Sequence, residues 1–212
     1  MQSLARGTVA KAAIIEAVLF DLDGVLTDTA SLHQAAWQHL FDDIVADYPG
    51  TAPFTESEYL AWVDGRQRAE AISALLAAHG IELAAGDPDD TPDRHTIAGL
   101  ARRRDEYYLR LLTERGARAY ATSTALVRAL RRQGIATGVV SGSRHGAQVL
   151  NAAGLTQLFD VRLDGADAER LDLLGKPDPT MFLEAARRLA VPPARAAVVD
   201  DSLAGVEAGM RG

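Results

Sequence analysis

Strand-like apolar runs are unevenly spread along this chain. "EAVLF" (16–20) stands alone, and "IATGVVS" (135–141), "LFDVRLDG" (158–165) and "RAAVVDD" (195–201) follow only after a long interval. Each is short, apolar and bounded by turn chemistry, the form of a strand buried on both faces. Helical patterns separate the later runs. "STALVRALRRQG" (123–134) closes on Gly134, "GSRHGAQVLNAAG" and "SLAGVEAGM" turn into helices, and "DPTMFLEAARRLA" (178–190) carries Pro179 near its first turn. Strands alternating with helices predict parallel βαβ units. Residues 30–114 break that rhythm: "SLHQAAWQHLFDDIVADY", "ESEYLAWVD", "AEAISALLAAHG" and "TIAGLARRRDEYYLRLLTERG" all favour helix, and "AAGDPDDTP" (84–92) reads as a loop. The expected fold class is therefore α/β, a parallel-sheet core built from 1–28 and 115–212, with an all-helical domain, 29–114, inserted after the first strand. The chain stops one helix after its last apparent strand, so the expectation is either a short protein or a core without its final strand or two.

A chain of 212 residues has room for one good core and a smaller second module. The net charge of -7 gives no electrostatic reason to expect nucleic acid and disfavours an anionic membrane surface. No cysteine is present, so disulfide and thiolate chemistry are excluded, which suits a reducing compartment. The N-terminal "MQSLARGTVAKAAIIEAVLF" is interrupted by Lys11 and Glu16 and has neither the length of a span nor a signal-peptide layout. The expectation is a cytoplasmic monomer whose partner is a small molecule.

The chemistry gathers at the strand ends. In "VLFDLDGVLTDT" (18–29), Asp21, Asp23 and Asp28 crowd in behind the apolar run, where like charges repel and resist burial. In an open parallel sheet, ligands bind beyond the carboxyl ends of the strands. There the sequence puts Asp21 and Asp23 after the first strand. Ser141, Gly142 and Ser143 follow the second, and Asp200 and Asp201 the last. Lys176 lies in the helix-opening loop "GKPDP". Carboxylates converging with a lysine and a hydroxyl suggest a hard divalent cation and a phosphoryl group, because Mg²⁺ takes a few carboxylates alongside phosphate oxygens. Asp21 would be the nucleophile, forming an aspartyl-phosphate, and Asp23 the acid and base. Each piece alone reads as a solvated turn, a cap or a surface lysine; together they form a phosphotransfer site.

"DLDGVLTD", "VVSGS", "GKPDP" and "VVDDSLAGVEAG" resemble, in order, the signature motifs of the haloacid dehalogenase superfamily, across the whole chain. The resemblance implies a Rossmann-like core with a helical cap. It makes Asp21 the nucleophile, Asp23 the general acid and base, and Ser141 and Lys176 the phosphoryl anchors. Mg²⁺ would be held by Asp21, the main-chain carbonyl of Asp23, and Asp201, with Asp200 beside it. The dehalogenase branch itself is not implied, since it has no aspartate at the position of Asp23 and needs no metal.

Within the superfamily the chain is most similar to β-phosphoglucomutases and their hydrolase relatives. "DTASLHQAAW" resembles a segment with a cap histidine and a tryptophan, here His33 and Trp37. "VDGRQR" resembles a phosphate-gripping loop, here Gly65 and Arg68. "LARRRDEYY" resembles a cap helix with a basic contact, here Arg104, and "SGSRH" puts Gly142, Ser143 and Arg144, with His145, toward the substrate. Two departures stand out: Asp64 replaces a lysine before the glycine, and His145 replaces an asparagine. The implied activity is interconversion of β-glucose 1-phosphate and glucose 6-phosphate, with a sugar-phosphate phosphatase as the alternative. A phosphorylatable receiver module shares the acidic pocket, but has no use for a helical insert or for an acid and base at Asp23.

Overall fold

A computed structural model of the chain describes residues 14–48, 50–63 and 68–212. The chain divides into two compact units, one carrying the chain up to Thr27 and again Ala119–Gly212, the other Asp28–Arg118.

The first unit is a four-stranded parallel sheet. Its strands are β1 (Ala17–Phe20), β4 (Ala136–Val140), β5 (Val161–Leu163) and β6 (Ala196–Val199), in the order β5-β4-β1-β6. Phe20 stands beside Val139 on one side and Val199 on the other, so the three strands end in register. The chain builds outward from β1 to β4 and β5, then crosses to β6 on the opposite side. The strand order thus reverses about β1, and in such sheets the carboxyl edge at that point is the usual ligand position. Helices α5 (Ala121–Arg132), α6 (Gly146–Ala152), α7 (Gly165–Arg170), α8 (Thr180–Arg188) and α9 (Leu203–Arg211) complete the unit. Met181, Phe182, Ala185 and Ala186 of α8 pack with Leu19, Val140 and Leu163 in one apolar core. This is a Rossmann-like core with an all-helical insert after its first strand. The short α7 in "GADAER" was not foreseen; Asp164 caps it by accepting from the Ala166 and Asp167 amides at 3.1 Å each.

The second unit is helical: α1 (Ala30–Asp47), α2 (Glu56–Glu58) running into a π turn (Tyr59–Val63), α3 (Arg68–Ala78) and α4 (Ile97–Arg115). Leu32, Ala36, Trp37, Leu40, Phe41 and Ile44 form the inward stripe of α1, at the spacing a 3.6-residue period demands. Thr96 opens α4 by accepting from the Gly99 amide at 3.1 Å. Among the described residues no strand falls within 30–114. The chain passes between units at Thr27–Asp28 and Arg118–Ala119, a few residues from the expected boundaries. These are the short strands β2 (Thr27–Asp28) and β3 (Arg118–Ala119), which pair and carry an Arg118–Asp28 ion pair. Among the described residues no helix is long and apolar enough to cross a membrane.

Candidate active site

Asp21 follows β1 directly, its amide donating to the Val199 carbonyl at 2.9 Å, so the sheet ladder itself fixes the backbone of this residue. The next turn is tight. Leu26 and Thr27 both donate their amides to the Leu22 carbonyl, at 2.9 and 3.0 Å, which folds the chain back on itself. Gly24 makes this possible with a φ of +87°. A Cβ at Gly24 would collide with the Asp201 carboxylate, so Asp201, from beyond β6, lies against the first loop.

Lys176 joins two strand ends. Its ammonium donates to Asp21 and, at 2.6 Å, to Asp200. Asp200 is held on its other oxygen by the Ser202 amide and hydroxyl, at 2.9 and 2.7 Å. Ser202 in turn caps α9 by accepting from the Gly205 amide at 3.0 Å, and a Cβ at Gly205 would strike the Asp200 carboxylate. Ser202 is therefore a site residue that the sequence reading missed. Its signal was legible: a serine three positions before a glycine at a helix start.

Ser141 ends β4, is buried, and donates its hydroxyl to Asp23 at 3.4 Å while accepting the Ser143 amide at 3.0 Å. Ser143 accepts the His145 amide at 3.2 Å, and Gly165 packs against Gly142 so closely that a Cβ would meet the Gly142 carbonyl. Arg144 is exposed and paired with Glu169 at 3.0 Å. Asp21, Asp23, Ser141, Lys176 and Asp200 thus form one connected cluster, with Asp201 against its first loop.

The electrostatics follow from the crowding. Burial pushes the Asp21 carboxyl up to about 7; the Lys176 ammonium opposes this, and the Asp200 and Asp23 charges add to it. Lys176 would be lowered by its burial, but the Asp21 and Asp200 carboxylates hold it above its ordinary value. Asp200, desolvated as it is, is held below the usual carboxylate range by the Lys176 and Ser202 hydrogen bonds. Lost solvation, with the Asp200 and Asp23 charges, raises Asp201. The cluster is short of positive charge, and apart from the Lys176 ammonium its polar side-chain atoms are all oxygen. That is the chemistry of a hard cation site, although among the described residues no three carboxylates or imidazoles are gathered closely enough to hold an ion by themselves.

This has a measurable consequence. Asp21 titrates near 7 in the folded chain and at 3.8 when unperturbed. Between those values the folded state keeps a proton that the unfolded state has released. Cation-free stability therefore falls as pH rises from about 4 to about 7. A divalent cation needs the ionised carboxylate and must displace that proton. Mg²⁺ is expected to bind about tenfold more weakly at pH 6 than at pH 8, with proton release seen by calorimetry in buffers of different ionisation enthalpy. A dissociation constant that does not move with pH would contradict the titration of Asp21.

The helical unit carries a second group of residues. Arg104 is only 4% exposed and lies over the ring faces of Trp37 and Tyr108, each centroid 5.3 Å away. It can only donate, so Nδ1 of His33, 2.5 Å from it, accepts. The His33 ring also stacks on Tyr108 at 4.3 Å. Arg68, at the start of α3, pairs with Asp105 at 2.8 Å. Trp37 is part of this unit's core. Gly65 and Asp64 lie outside the described residues. Asp105 and Tyr108 were missed from the sequence, although Tyr108 follows Leu100 and Arg104 at helical spacing on the buried stripe of α4.

A parallel sheet whose central strand ends in paired aspartates, tied by a lysine to the acidic end of a neighbouring strand, gathers its polar side chains at the carboxyl edge, where such sheets hold their ligands. A family model for haloacid dehalogenase-like hydrolases matches residues 15–211, and the chain belongs to that family. It is 38% identical over 204 residues to a β-phosphoglucomutase of Mycobacterium tuberculosis, covering 93% of this chain and 78% of that one. It is 29% identical over 196 residues to a phosphorylated carbohydrates phosphatase of Thermotoga maritima, covering 92% and 80%. A crystal structure of a β-phosphoglucomutase from Clostridium difficile matches with a TM-score of 0.73 at 26% identity, covering 93% of this chain and 81% of that one.

Proposed function

We propose that this chain is a Mg²⁺-dependent sugar-phosphate mutase that interconverts β-glucose 1-phosphate and glucose 6-phosphate through an aspartyl-phosphate on Asp21. The observation that carries the reading is the Lys176 ammonium shared between Asp21 and Asp200, beside the Asp23–Ser141 hydrogen bond. It supports a reading in which Asp21 is the nucleophile, Asp23 the acid, and Ser141 and Lys176 the anion-holding groups. The likeness to the mycobacterial mutase supports the choice of sugar phosphate.

In this reading an Asp21 oxygen attacks phosphorus and the bond to the leaving oxygen breaks. Asp23 gives its proton to that oxygen. Ser141 and Lys176 hold the phosphoryl oxygens, and the Lys176 charge offsets repulsion between the Asp21 carboxylate and an anionic ester. In the return half, Asp23 takes the proton of the incoming sugar hydroxyl, which attacks phosphorus as the bond to Asp21 breaks. Asp21, the Asp23 carbonyl and Asp201, with Asp200 beside it, would hold Mg²⁺, which adds positive charge to offset the crowded carboxylates and the phosphoryl group. Activity is expected to vanish in excess chelator, return with Mg²⁺ and be inhibited by Ca²⁺, whose larger, less regular coordination shell displaces the nucleophile. Full turnover with chelator present would remove the metal from the reading.

A phosphatase of phosphorylated sugars is the second reading, favoured by the Thermotoga maritima relative and by Asp64 and His145 standing at the departures noted above. Water would then replace the sugar hydroxyl. Incubation with β-glucose 1-phosphate, a trace of glucose 1,6-bisphosphate and Mg²⁺, followed by phosphorus NMR, separates the two. Glucose 6-phosphate forming faster than inorganic phosphate supports the mutase, and the reverse supports the phosphatase.

A further inference from the structure

Two arginines of the helical unit share a single carboxylate. Arg68 on α3 meets one oxygen of Asp105 at 2.8 Å, and Arg104, one position before Asp105 on α4, meets the other at 3.5 Å. The two cations differ in access. Arg104 is enclosed by Trp37, Tyr108 and His33, and its Nε has no partner among the described residues. Arg68 keeps 27% of its side chain exposed, and Asp105 keeps 18%. Burial and the Arg68 charge push Arg104 down to about 10, with Asp105 opposing. It therefore stays charged at neutral pH; Arg68, Arg104 and Asp105 taken together carry one net positive charge, and Arg68 is the more exposed of the two arginines.

We propose that Asp105 is the specificity-determining residue of an anion subsite on Arg68. It acts as a resident counter-ion that a phosphate monoester dianion displaces and a singly charged anion does not. The inference rests on the phosphotransferase reading for its ligand class. A monoanion arriving at Arg68 exchanges one negative partner for another, and leaves a carboxylate to be repelled or moved. A dianion brings one more unit of charge into the field of Arg68 and of Arg104 behind it, which favours the exchange. The arginine fork then passes from carboxylate to phosphate oxygens with its geometry kept. Asp105 touches no substrate itself; it sets what Arg68 accepts.

The test uses the full chain without Mg²⁺, with methyl phosphate and methanesulfonate as probes at pH 8 and NMR reporters local to each unit. The Arg68 side-chain Nε–H reports the helical unit, and the Ser143 amide reports the core. In the wild type, methyl phosphate is expected to move the Arg68 signal and the Asp105 carboxyl carbon with one common dissociation constant, while methanesulfonate moves neither. In Asp105→Asn, methanesulfonate is expected to bind at Arg68, and methyl phosphate to bind at least about fivefold tighter than in the wild type, with the Ser143 response unchanged. Asp105→Glu should restore the exclusion of methanesulfonate. An Arg68 shift without an Asp105 shift in the wild type, or unchanged binding in Asp105→Asn, overturns the proposal. The wild-type measurement decides even if the variants fold poorly. Glucose phosphate turnover without any Arg68 response would remove this inference alone. Coupled Arg68 and Asp105 shifts without turnover would remove the mutase reading and leave this one standing.

Discussion

Asp21→Asn is expected to lower turnover of β-glucose 1-phosphate by at least about a hundredfold while the fold persists. The amide keeps the shape of the carboxylate but has no anionic oxygen to form the phosphoryl bond, and loss of a covalent catalyst normally costs more than that. Stability should not suffer. Asp21 is 8% exposed, and its ionised form is disfavoured by burial with Asp200 and Asp23 nearby, so a neutral side chain removes a repulsion. Against that, Lys176 loses one charged partner and keeps Asp200. Thermal unfolding near pH 8 without a cation is therefore expected at or above the wild-type temperature. Turnover and melting together separate the nucleophile from a structural carboxylate: a variant that keeps more than about a hundredth of wild-type rate rules out Asp21 as nucleophile.

The core was legible because its signals are local. Each apolar run ends in the polar residue that the sheet then displays, and β1, β4 and β6 fall inside "EAVLF", "IATGVVS" and "RAAVVDD". Short runs flanked by turn residues admit few alternatives when helices separate them. β2 and β3 were not legible: two residues each, "TD" and "RA", carry no periodicity, and they exist because the chain pairs where it passes between units. The expected boundaries near residues 28 and 115 lie a few residues from the crossings at Thr27–Asp28 and Arg118–Ala119.

Within the site, residues fixed by motif order were readable, and residues fixed by packing were not. Asp21, Asp23, Ser141 and Asp200 gather because strand ends lie side by side, which sequence order anticipates, and Lys176 joins them from the loop before α8. Arg104 is different. "LARRRDEYY" reads equally as a basic solvated face, yet Arg104 lies on the stripe Ile97, Leu100, Arg104, Tyr108, Leu111 and is buried. Its neighbours divide as the helix period requires: Arg102 reaches the Pro88 carbonyl at 2.5 Å, and Arg103 reaches the Pro92 carbonyl at 2.7 Å. Periodicity identifies the inward arginine. It does not reveal that aromatic faces and His33 receive it.

Arg68→Ala is expected to cut mutase turnover by at least about a hundredfold while slow hydrolysis of small phosphate esters survives. A mutase must hold one phosphate while the other is transferred, and Arg68 is the more exposed cation of its cluster, Arg104 being enclosed. Losing a charge-assisted anchor of about 3 kcal/mol accounts for roughly that factor. Small esters have no distal phosphate, and in the proposed mechanism their chemistry would draw on Asp21, Asp23, Ser141 and Lys176, all in the other unit. The effect should therefore fall on glucose phosphates and spare methyl phosphate hydrolysis, a pattern that general unfolding does not give. Arg68→Lys is expected to lie between, since a lysine keeps the charge and loses the fork. The substitution also removes the Arg68 partner of Asp105, so Asp105→Asn combined with Arg68→Ala should recover none of the lost turnover if Asp105 acts only through Arg68. Equal losses on glucose phosphates and on methyl phosphate would mean that Arg68 supports the fold instead of the substrate, and the distal phosphate would have to be sought elsewhere.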